Sequence, residues 1–140
     1  MMLSLLALAQ AMVAPAPPPP ADWSTRPLLF LNPGPGMTPA DTRAVMALVQ
    51  RRLACRASVG PMPDPEGTPY THMRGMRVDL LLLVAPDGRF LDILAAPGPC
   101  DPVRNFTRAA VSQRYRRRAR PPEGPDPAWY RASVLYSWER

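Results

Sequence analysis

From Met76 to Val84 apolar residues alternate along the chain, and the alternation changes character half-way. Met76, Val78, Leu80, Leu82 and Val84 share one face of an extended chain, while the other face carries Arg77 and Asp79 and then Leu81 and Leu83. Strand side chains point to opposite faces with a period of two. The pattern therefore predicts a strand that starts one-sided and ends buried on both faces, as a central strand does. Ala85-Pro86-Asp87-Gly88 predicts a hairpin turn, because proline pre-sets φ and glycine accepts the left-handed conformation. Arg89 to Ala95, with Phe90, Leu91, Ile93 and Leu94, predicts the returning strand. At the end of the chain Tyr130, Ala132, Val134, Tyr136 and Trp138 alternate with Arg131, Ser133, Leu135, Ser137 and Glu139 and predict a third strand.

Two helices complete the pattern. Thr38 is an N-cap candidate with Pro39 at the first helical position and Asp41 in the place of a capping-box acid. Val45, Leu48, Val49 and Leu53 follow at the spacing of one helical face, and the helix is expected to end between Cys55 and Ser58. Gly60 to about Arg74, rich in Pro, Gly and Asp, is expected to be a loop. Asp101 with Pro102 opens a second helix whose inner face is Val103, Phe106, Ala110 and Val111, with Tyr115. The order helix-strand-strand-helix-strand predicts a two-layer α+β fold, a small three-stranded antiparallel sheet with two helices on one face.

The N-terminus reads differently. Met1 to Ala14 is uncharged and mostly apolar, with Ala-x-Ala at Ala9-Gln10-Ala11 and Ala14-Pro15-Ala16. Spanning a bilayer takes about 20 apolar residues, and this shorter run ahead of a small-residue site fits a signal peptide, although no basic residue precedes it. Residues 1–16 are thus expected to be a signal peptide or short anchor, 17–37 a proline-rich linker, and 38–140 the folded domain. Within the linker, Asp22 to Asn32 holds Trp23 and Leu28-Leu29-Phe30-Leu31, a run expected to dock on the domain as a short strand; a partner motif is the other reading. Export makes Cys55 and Cys100 a candidate disulfide. The expected location is periplasmic or secreted, with an inner-membrane-anchored, periplasm-facing form as the alternative.

Composition narrows the chemistry. The chain has 140 residues, 21 of them proline, and its 17 basic residues are all arginine, for a net charge of +6. Arg114, Arg116, Arg117, Arg118 and Arg120 form a basic patch able to meet phosphates or anionic headgroups. A solvated helix end, where positive charge suits the helix dipole, accounts for it equally and is preferred. Catalysis finds little footing. His72 is the only histidine, too few to close a zinc site with two cysteines. Asp64 and Glu66 lack a partner arrangement, and no glycine-rich phosphate loop is present. No enzyme activity, metal or cofactor is expected.

The stretch from Val78 to Trp138 resembles the C-terminal domain of the TonB/TolA energy-transducer superfamily. The resemblance is carried by Leu82-Leu83-Val84-Ala85-Pro86-Asp87-Gly88-Arg89, by the helix after a Gly-containing loop, by Arg114-Tyr115-Arg116-Arg117-Arg118-Ala119-Arg120-Pro121-Pro122, and by Val134-Leu135-Tyr136-Ser137-Trp138. The helix starting at Thr38 sits where TolA-like members place theirs, which would make 38–140 a TonB/TolA C-terminal-like domain. Ala96-Pro97-Gly98-Pro99-Cys100-Asp101-Pro102-Val103 departs from the family's signature before its second helix. The resemblance implies transport-related protein binding in the cell envelope: an outer-membrane or periplasmic protein pairs with the last strand, here Ala132, Ser133, Val134, Leu135, Tyr136, Ser137 and Trp138. No nucleic acid is expected, and membrane contact only if the N-terminal segment is retained. Two alternatives stand beside this reading: an exported envelope structural or inhibitor protein of another family, and a basic nucleic-acid-binding module.

Overall fold

A computed structural model describes residues 16–29, 31, 38–63, 69–114 and 126–139, with the backbone alone at 62–63 and 69–72. A 3₁₀ turn at Trp23–Thr25 precedes α1 (Pro39–Gln50), α2 (Leu53–Ala57), β1 (Gly60–Pro63), β2 (Pro69–Val84), β3 (Phe90–Ala95), α3 (Asp101–Arg114) and β4 (Ala128–Glu139). The fold is α+β with an open antiparallel sheet. β2 is its spine. β4 pairs with β2 from Met73 to Val84. A strand has only two flanks, so β1, on Pro69–Gly75, and β3, on Leu80–Val84, share the other one end to end.

The sheet therefore has four strands, not the expected three, and the described residues hold three α-helices, not two. The stretch Gly60 to Arg74, expected as a loop, supplies β1 and the first part of β2. Its prolines and glycines hide the pairing from a local reading. Proline is tolerated on an edge strand, and the register of β1 shifts between Pro61 and Pro63 to accommodate it. Asp64 and Glu66 lie outside the described residues. The first helix also breaks where continuation was expected. Arg52 is extended (φ −133°, ψ 132°), and α2 restarts in a new direction. As a result Leu53, expected on the buried face, is 76% exposed, while Cys55 is fully buried.

The even-numbered face of β2 carries the main core. Met76, Val78, Leu80, Leu82 and Val84 pack with Ala132, Val134 and Tyr136 of β4, Val45 and Val49 of α1, and Val103 and Val111 of α3. Tyr136 and Thr107, both fully buried, join their hydroxyls at 2.7 Å, and Thr107 also donates to the Val103 carbonyl. This satisfies polar atoms that would otherwise be stranded in the core.

Caps and clamps hold the helices to this layer. Thr38 and Asp41 form the expected capping box: Asp41 N–H donates to Thr38 Oγ1 at 3.3 Å, and Thr38 N–H to Asp41 Oδ2 at 3.0 Å. Buried Asp41 also pairs with Arg114 at the end of α3, at 2.6 Å. Cys55 of α2 and Cys100, just ahead of α3, are joined as a disulfide with Cα atoms 4.6 Å apart. Such a bond fits an oxidising compartment. Among the described residues no helix is long and apolar enough to cross a membrane.

Part of the presumed spacer packs against the domain. Leu28 bridges Arg131 in parallel, and Leu29 and Leu31 are buried in the main core. Residues 16–31 thus include a strap that runs over the back face of the sheet and rounds the edge of β4.

Candidate functional site

Edge strands expose unpaired backbone groups, and this sheet treats its two long edges differently. On the β3 edge α3 caps two outward carbonyls: Arg108 Nε donates to the Ile93 carbonyl at 2.9 Å, and an Arg104 guanidinium nitrogen to the Ala95 carbonyl at 3.3 Å. Arg104 is itself held by Asp101 at 2.6 Å.

The β4 edge is closed only over its first part. Along an antiparallel strand, alternate residues turn their N–H and C=O toward or away from the neighbour. Arg131 donates its N–H to the Pro27 carbonyl at 3.0 Å and accepts from Leu29 N–H at 2.8 Å. The odd positions of β4 therefore face outward. Consistent with this, the Trp129 carbonyl accepts from Arg26 Nε at 2.9 Å. Beyond Arg131, the outward backbone groups of Ser133, Leu135 and Ser137 have no backbone partner among the described residues. Leu135 is 41% exposed beside them, and Ser133 Oγ donates to Asp79 Oδ1 at 2.7 Å.

The residues expected to pair with a partner fall into two sets. Ala132, Val134 and Tyr136 turn their backbone to β2 and bury their side chains in the core. Ser133, Leu135 and Ser137 have an outward backbone, and Trp138 adds a partly exposed ring on the helical side. That the strap covers Trp129 to Arg131 is not visible in any local sequence pattern.

Of the basic patch, Arg114 is committed to Asp41 and Thr38; Arg116, Arg117, Arg118 and Arg120 lie outside the described residues, as does residues 1–15 with the signal segment. The disulfide leaves neither cysteine a thiol for nucleophilic or ligand chemistry. No cluster of three metal-ligating side chains occurs among the described residues. No protein-family model, no curated protein and no solved structure matches this chain.

A turn within the strap is held by a carboxylate. Asp22 Oδ1 accepts from Ser24 Oγ at 2.7 Å and from Ser24 N–H at 3.0 Å. The side-chain bond first, and then the backbone bond, hold the Asp22 carboxyl below its ordinary 3.8. A carboxyl lowered in the folded state supports the turn fully above its unfolded pKa and loses that support as pH falls through the lowered value. An NMR titration should place the Asp22 midpoint below 3.8, and Ser24→Ala should return it toward the ordinary value. A wild-type midpoint at or above the ordinary value would contradict the turn geometry.

Proposed function

We propose that this chain is an exported protein-binding domain of the cell envelope, similar in design to the C-terminal domains of TonB/TolA energy transducers. It takes an extended segment of a periplasmic or outer-membrane protein onto the open part of β4. The observation that carries this reading is the asymmetry of the edges. Arginines of α3 cap the Ile93 and Ala95 carbonyls of β3, whereas the outward N–H and C=O groups of Ser133, Leu135 and Ser137 stand ready for strand addition, in which backbone bonds supply affinity and neighbouring side chains supply selectivity. Export is supported by the buried disulfide and by the apolar, Ala-x-Ala-terminated start of the sequence.

The test is a proline at the middle of the open edge. Leu135→Pro removes an outward N–H and leaves the β2 ladder intact, a substitution edge strands accept. Captured from envelope extract, the partner should be retained at least tenfold less by Leu135→Pro than by wild type, with unchanged circular dichroism and an intact disulfide. Equal retention by both would refute pairing on this edge.

A further inference from the structure

The back face of the sheet carries a second apolar cluster. Leu81 and Leu83 of β2 and Trp129 of β4 are buried there, with Leu94 and Trp23 packed against them. The proline-rich segment lies over Trp129: its indole Nε1–H donates to the Pro17 carbonyl at 2.9 Å. Along that segment Pro17 and Pro20 are partly buried and Pro18, Pro19 and Ala21 are exposed, and partly buried Trp23 opens the 3₁₀ turn that ends the run. A period of three is that of polyproline II, which has three residues per turn and no internal hydrogen bonds. Such a helix lays one residue in three on a surface and keeps its carbonyls free to accept. Aromatic-lined grooves recognise proline-rich segments of this spacing, and the ordering cost is low because the conformer is already formed.

We propose that this back face is a polyproline-binding groove, filled in the free chain by its own Pro17–Trp23 and able to exchange that segment for a proline-rich peptide of the same spacing. Trp129 is the reading residue. Its ring forms part of the apolar floor, and its indole fixes one carbonyl of the ligand. Leu81, Leu83 and Leu94 complete the floor. The strap's own turn, closed by Asp22 and Ser24, delivers Trp23 to the end of the groove. Tethering makes the internal segment a strong competitor, with an effective concentration of order millimolar, so an external peptide binds weakly until the strap is loosened. This groove lies on the back face of the sheet and does not rest on the strand-pairing role of Ser133 to Ser137.

The probe is a labelled synthetic peptide with the sequence of residues 16–26, titrated into full-length chains. Trp23→Ala weakens the strap and leaves Trp129 in place. It should bind the peptide at least tenfold more tightly than wild type does. Adding Trp129→Phe keeps an aromatic floor but removes the donor, and should weaken binding by about five- to tenfold, the worth of one hydrogen bond. A second host, Pro17→Gly with Pro20→Gly, loosens the strap without removing an aromatic ring and should behave like Trp23→Ala. The NMR shifts on binding should centre on the Trp129 indole and on Leu81, Leu83 and Leu94. Equal affinity for all hosts, or no binding to either loosened host with a native spectrum, would overturn the groove. Shifts confined to Ser133–Glu139 would overturn it too, while leaving the edge reading standing.

Discussion

Replacing both Cys55 and Cys100 by alanine is expected to lower stability by about 4 kcal/mol in the chain-entropy view of cross-links. The bond closes a loop with a sequence separation of 45 and ties α2 to the start of α3. Both positions are buried, so the loss of the tether is joined by a small loss of packing. For a domain of this size each kcal/mol moves the melting point by about 4–8 °C, which predicts a fall of roughly 15–30 °C. Thermal melts of wild type and the double alanine variant measure it, and wild type under reductant should approach the variant. A shift of less than about 4 °C, the worth of a single kcal/mol, would mean that the paired helices hold without the bond. The helix break at Arg52 leaves α2 short and without a side-chain cap, so the bond is its main tie to α3.

The second large effect concerns the strap. Leu31 is 4% exposed and packs in the main core, whereas Leu28, three residues earlier, is 46% exposed. Leu31→Ala should cost about 2–4 kcal/mol, the usual range for emptying a buried leucine site. Leu28→Ala should stay within about 0.5 kcal/mol, as for other surface changes. Denaturant midpoints for the two variants give the comparison. Similar, small losses at both would return this segment to the status of a free spacer. A large loss at Leu31 alone means that a chain trimmed to the first predicted helix lacks part of its own core.

The sequence showed some of this directly. The alternation from Met76 to Val84, the Asp87-Gly88 turn and the final strand are local patterns, and each forms where the pattern put it. Gly88 takes φ 86°, the left-handed value the turn requires. The capping box at Thr38 and Asp41 was equally legible, since its partners lie three residues apart. The strap was legible only in outline. Its bonds span distances at which no periodicity survives: Arg26 reaches Trp129 across 103 positions, and Trp129 reaches Pro17 across 112. The leucine run pointed to docking, but not to the edge it would close. β1 escaped because proline usually marks the absence of a strand, and here an edge position tolerates it. The outward parity of β4 could have been guessed from its alternation. That only the part beyond Arg131 is open depends on the strap and could not.

These elements give one physical picture. A long central strand has β4 on one side and β1 and β3 on the other. Guanidinium groups cap two carbonyls of β3, and the chain's own N-terminal segment closes the start of β4. In the proposed reading, the remaining outward backbone groups of β4, flanked by exposed Leu135, are where an added strand would gain bonds without breaking any among the described residues.

The most direct measurement places a photo-crosslinking amino acid at Leu135 in cells and, as a control, at Leu91, which is 47% exposed on β3 beside the arginine-capped Ile93 carbonyl. An envelope protein joined at Leu135 and not at Leu91, through an extended segment of its chain, is the result this account predicts. Crosslinks that favour Leu91, or that appear at neither position, would contradict it.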